Sequence, residues 1–104
     1  DYPDLARPAA LSVAKGQNDR GILICGTGLG MSLTANTIPG IRATLCHDEY
    51  TTDMARRHND SNVLVLGGRV ISKQKAEKIL DIWLETEFEG GRHKRRIDKI
   101  EGNL

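Results

Sequence analysis

Apolar positions come in short blocks along this chain, and their spacing changes from block to block. After Pro3, the residues Leu5, Ala9, Leu11 and Val13, with further alanines among them, run to Gly16, which predicts a helix closed by a glycine cap. Gly21 to Cys25, GILIC, is an apolar run without alternation and predicts a strand covered on both faces, as in a parallel sheet. Met31 to Thr37 predicts a short helix that stops before Pro39 and Gly40. Ile41 to Cys46 reads as a second strand. Asp48 to Arg57 reads as a helix, with Asp48 and Glu49 in a first turn where the helix dipole favours negative charge. Asn62 to Leu66 is a third strand, and Gly67 and Gly68 turn it toward a helix capped by Ser72. There Ala76, Ile79, Leu80, Trp83 and Leu84 share one face at helical spacing and are read as core. Beyond Gly90 and Gly91 a last helix carries Arg92 to Lys99.

Strands and helices alternating over short links predict an α/β fold with right-handed crossovers, a parallel sheet and helices on both faces. Ligands of such sheets sit beyond the carboxyl ends of the strands, so chemistry is expected in the loops after Cys25, Cys46 and Leu66. With no Pro- or Ser-rich divider, residues 1–104 read as one domain, small enough that a partner subunit would help to complete its core.

Lys and Arg number 15 against 14 Asp and Glu, for a net charge of +1. That balance supplies no general attraction to nucleic acid or to an anionic membrane. No apolar run approaches the roughly 20 residues of a membrane helix, and DYPDLARP lacks a secretory pattern, so a cytoplasmic protein is expected. Cys25 and Cys46 lie far apart, each after apolar residues, as reduced thiols do rather than a disulfide framework. No Cys or His pair has metal-site spacing. The chain opens without an initiator Met, so a missing N-terminal segment belongs to the expectation.

The stretch CGTGLG is the first candidate site. Gly26, Gly28 and Gly30 alternate, which lets backbone approach a ligand and turn N–H groups toward an anion at the start of a helix. A dinucleotide fingerprint would need its third glycine where Met31 stands. A thiol at this place, Cys25, gains from helix-end amides as a base or nucleophile, while Thr27 and Ser32 add hydroxyls or caps. Cys46 is read as an inert buried thiol.

Taken together, ICGTGLGMSLTAN, GIRATLCHDEY, RRHNDSNVLVLGGRVI and WLETEFEGGRHKRRI resemble the ribose-5-phosphate isomerase type B and galactose-6-phosphate isomerase family, in order and over nearly the whole chain. The resemblance implies a Rossmann-like three-layer α/β/α sandwich, a homodimer or homotetramer with shared active sites, and no cofactor or metal. Members of that family usually begin with a strand ending in an Asp-His pair, then a helix and another strand. The resemblance therefore also implies an N-terminally truncated chain, lacking a pair that contributes to sugar and phosphate binding.

By the same resemblance, the reaction is aldose–ketose isomerisation of a sugar phosphate through an enediolate, ribose 5-phosphate first, with allose and galactose phosphates left open. Cys25 would be the base. Amides of the loop Gly26, Thr27, Gly28, Leu29 and Gly30, with Ser32 beside them, would hold the substrate oxygens. His58 would open the sugar ring with help from Thr27, and Asn59 would orient hydroxyls. Arg92 and Arg96, four apart and so on one helix face, would clamp phosphate, with Arg69 and His93 as secondary contacts. The whole chain has only four aromatics, and none is interleaved with the basic cluster, which argues against RNA. Two rival readings stand beside this one. A phosphocysteine carrier domain of a sugar phosphotransferase system would use a C-G-T-G-like loop to hold a phosphoryl group, but such carriers usually lack the HND and GGRHxxR elements present here. A truncated isomerase that folds but turns nothing over is the second.

Overall fold

The computed structural model describes residues 1–102. Eight elements follow one another: α1 (Tyr2–Ala14), β1 (Gly21–Cys25), α2 (Leu29–Ala35), β2 (Ala43–Leu45), α3 (Glu49–Arg57), β3 (Val63–Gly67), α4 (Lys73–Glu85) and α5 (Arg92–Ile100). The three strands form one parallel sheet in the order β1-β3-β2. Gly21 and Ala43 both pair with Val63 at its amino edge, and Cys25 pairs with Gly67 at its carboxyl edge. None of the described helices is long and apolar enough to cross a membrane.

Alternation along β3 divides the interior in two. Val63 and Val65 point with Leu23 and Ala43 toward α1 and α2, and meet Ala6, Ala10, Val13, Met31 and Ala35. Leu64 and Leu66 point the other way, onto Ala55 of α3 and Ile79 and Trp83 of α4. The result is the expected three-layer α/β/α sandwich, with β3 buried along its whole length. Trp83 is fully buried, and its indole N–H donates to Ser61 Oγ at 3.0 Å. Side-chain caps fix two helix starts: Asp48 Oδ1 accepts from the Thr51 N–H, and Ser72 Oγ from the Lys75 N–H.

Four expectations are corrected, the first on α4, where Leu84, read as core, is 52% exposed because it falls at the outer margin of the stripe whose centre is Ile79 and Trp83. The buried side of α1 is Ala6, Ala10 and Val13, while Leu5 is exposed, because small side chains let the helix approach the sheet. β1 is covered on one face only: it is an edge strand, α3 and α4 stop short of it, and Ile22 and Ile24 stay open at 44% and 61% exposure. β2 has three residues rather than six, yet Ile41 and Cys46 at its flanks are buried.

Candidate functional site

The candidate residues fall into two groups, and the topology decides which. A helix that follows a parallel strand returns the chain to the opposite edge of the sheet. Loops after β1 and β3 therefore lie at the carboxyl edge, whereas the ends of α3 and α4 lie at the amino edge.

At the carboxyl edge Cys25 ends β1, half-buried and unpaired in any disulfide. The Gly28 N–H donates to Cys25 Sγ at 3.1 Å, a contact on which a sulfur anion can draw. Gly28 makes this possible by a left-handed backbone, φ 82°. The Leu29 N–H donates to Thr27 Oγ1 at 3.2 Å. Two of the loop amides expected to face a ligand are thus engaged within the loop, and the first-turn amides of α2, those of Gly30 and Met31, have no acceptor inside the helix. Leu29 is exposed and Ser32 half-buried, with the Ser32 N–H on the Gly28 carbonyl. The end of β3 closes this edge: Gly68 N–H donates to the Cys25 carbonyl at 2.7 Å and Arg69 N–H to the Gly26 carbonyl at 2.9 Å. A Cβ placed on Gly26 would meet Arg69 Cδ at 3.5 Å and Nε at 3.6 Å. The Arg69 side chain therefore lies along the loop at Gly26 and brings permanent charge to the carboxyl edge, not to Arg92 and Arg96.

At the amino edge His58 caps the end of α3. Its ring stacks on that of His93, with centroids 4.1 Å apart and planes 13° from parallel. Glu89 Oε1 stands 3.6 Å from Nε2 of each histidine. His93 is buried, and burial first, then the charges of His58, Arg92 and Arg96, hold its imidazole below the usual histidine range, with Glu89 opposing. Arg92 and Arg96 are exposed and, among the described residues, pair with no carboxylate. Asn59 is exposed at the rim of a cavity of about 630 Å³ that reaches from Asn36 to Glu101. Asp60, with φ 46°, holds the HND turn by pairing with the buried Arg56 at 3.1 Å and with Arg42 at 3.5 Å. Arg56 also donates to the carbonyls of Ser61 and Thr86, which fastens the end of α3 to the segment before α5.

Glu89 stands in a loop without periodicity and Arg56 is a charged residue turned to the buried side of α3, so neither is marked as a site residue by the sequence pattern. The ligand atoms of His58, Glu89 and His93 lie within 4.8 Å of one another. Two nearly parallel stacked rings cannot both aim their in-plane lone pairs at one ion, however, and Arg57, Arg92 and Arg96 border them, so the cluster suits a proton or an anion better than a dication. Among the described residues no hydrogen bond or ion pair joins this group to the Cys25 loop. The five residues of β3 between the two edges span about 16 Å.

The family model described as Ribose/Galactose Isomerase matches residues 1–100. The chain is 50% identical over 100 residues to ribose-5-phosphate isomerase B of Escherichia coli (strain K12), covering 96% of this chain and 67% of that protein. It is 46% identical over 99 residues to D-erythrulose-4-phosphate isomerase of Pectobacterium atrosepticum, covering 95% and 65%. A solved structure of Clostridium thermocellum ribose-5-phosphate isomerase B superposes with a TM-score of 0.97 at 52% identity, over 98% of this chain and 69% of that one. The chain thus spans about two thirds of the length of these relatives.

Proposed function

The chain belongs to the ribose/galactose isomerase family, and on that premise we propose that it is an aldose–ketose isomerase of sugar phosphates, with ribose 5-phosphate as the first substrate. The names of the relatives and the solved structure support that substrate class. Cys25 takes the proton from C2 of the open-chain aldose and returns it to C1, by way of an enediolate. Arg69 and the first-turn amides of α2 balance charge on the sugar oxygens as it develops. His58 accepts the O1 proton as the furanose opens, Thr27 helps to deliver a proton to the ring oxygen, and Asn59 orients the hydroxyls. Arg92, Arg96 and His93 take the phosphate.

One observation carries the arrangement. Cys25, Thr27 and Arg69 occupy the carboxyl edge of the sheet, while His58, Asn59, Arg92, His93 and Arg96 occupy the amino edge. A single sugar phosphate cannot bridge a sheet from within one chain, so we infer a site completed between two copies, the carboxyl edge of one against the amino edge of the other. Mixing two inactive variants tests it. Cys25→Ala and His58→Ala, each purified alone, should not incorporate solvent deuterium into ribose 5-phosphate. Mixed and allowed to exchange subunits, they should recover activity, because some interfaces then unite an intact thiol with an intact imidazole. No recovery from a mixture shown to contain mixed assemblies refutes the shared site, and full exchange by Cys25→Ala alone refutes the base.

A further inference from the structure

We propose that Glu89 is a positioning residue, whose carboxylate holds the His58 imidazole for ring opening and ties it to the helix that bears the phosphate arginines. The proposal rests on the isomerase reading above.

Glu89 lies between α4 and α5 and reaches α3 in three ways. Its N–H donates to the Arg57 carbonyl at 3.0 Å, its Oε2 stands 3.8 Å from Arg57 Nη1, and its Oε1 faces both stacked rings at 3.6 Å. His93 supplies a buried flat wall on one side of His58. Glu89 fixes the edge of the ring that the wall leaves free to turn. Among the described residues it is the one carboxylate paired with these imidazoles. The other charges that act on His93 are positive, Arg92 and Arg96 from α5, while Arg57 of α3, paired with Asp53, meets the same Glu89 carboxylate.

Charge makes that carboxylate necessary. When a furanose opens, the C1 bond to the ring oxygen breaks, the O1 proton leaves as the carbonyl forms, and the ring oxygen gains a proton. A histidine that takes the O1 proton becomes an imidazolium against a second imidazole 4.1 Å away, on which Arg92 and Arg96 already act. Glu89 is the opposing charge at that moment, and it needs no reorganisation to act.

A sugar phosphate that cannot form a ring separates this role from general support of the fold. In D-erythrose 4-phosphate the phosphate occupies the oxygen that would close a furanose, so the substrate is always open and needs no ring opening. Glu89→Gln keeps size and shape and removes the charge. Its kcat on ribose 5-phosphate should fall roughly tenfold or more, with KM changed less, because His93 and Ile97 keep α5 packed. Its kcat on D-erythrose 4-phosphate should stay near that of the unaltered protein. Equal losses on both substrates, or no loss on ribose 5-phosphate, overturn the proposal. Glu87→Gln, on an exposed neighbour, is the control.

If the unaltered protein turns over neither substrate, the isomerase reading has failed, and the contact itself is still decided by proton NMR. The His93 ring signal should titrate at a lower pH in Glu89→Gln than in the unaltered protein, since Glu89 is the group that opposes the downward shift of that imidazole. An unmoved midpoint overturns the placement whatever the turnover.

Discussion

Replacing Gly67 by alanine tests the link between the packing of the sheet and the reactive loop. Gly67 ends β3 directly opposite Cys25. A Cβ there would stand 2.6 Å from the Thr27 carbonyl oxygen and 2.9 Å from its carbon, where ordinary contact begins near 3.4 Å. Both are backbone atoms, so the strand end or the loop must yield by about 0.8 Å. The loop is held at this place by the N–H groups of Gly68 and Arg69 and by the Gly28 contact to sulfur, and all three stretch if Thr27 retreats. Overpacking of this kind costs about 1–3 kcal/mol, and each kcal/mol lowers the unfolding midpoint of a domain this size by about 4–8 °C. A displacement approaching 1 Å in a reacting group costs about a hundredfold in rate. Gly68→Ala is the matched control, because its Cβ would meet Ile24 at 3.6 Å and the Cys25 carbonyl at 3.7 Å, both ordinary contacts. Thermal unfolding and solvent-deuterium exchange into ribose 5-phosphate, measured on both variants, should show the two losses in Gly67→Ala alone. If Gly67→Ala is as stable and as active as Gly68→Ala, the close approach of β3 to the loop does not constrain the site.

Two further outcomes follow from the amino edge. The His93 imidazole is held below its ordinary value of 6.5 by burial and neighbouring positive charge. Unfolding frees it to bind a proton more readily, so its share of stability is complete above pH 6.5 and is lost as pH falls from there toward the lower folded value. His93→Phe should flatten urea stability between about pH 7 and pH 5, and an unchanged slope refutes the assignment. Arg56→Lys keeps a charge near Asp60 but cannot also serve the Ser61 and Thr86 carbonyls. It should cost about 2–4 kcal/mol in denaturant unfolding, and a loss under about 0.5 kcal/mol would show that the clasp carries no load.

Helices and strands were legible because core-facing residues kept their period: Ile79 and Trp83 on α4 and the unbroken run of β3 are found where the pattern placed them. The phase of α1 was not legible, since alanine and leucine are mixed along it and only packing distance selects Ala6 and Ala10 for the sheet. Nor could GILIC announce an open face, because an apolar run reads alike in a covered and an edge strand. Topology drew the expected chemistry to the loops after Cys25, Cys46 and Leu66, whereas the roles of His58, Asn59, Arg92, His93 and Arg96 came only with the resemblance. Yet the order of elements already places the end of α3, and His58 with it, at the amino edge. Glu89 sits in a loop without periodicity, and only the fold brings its oxygen to two histidines.

A sheet that keeps thiol and imidazole on opposite rims makes chemistry that needs both a property of concentration. Dilution would silence such a protein without unfolding it. A copy that lacks one of the two groups would spoil one of its seams and leave the other whole, so that in a mixed population the damage reaches a neighbour whose own sequence is intact.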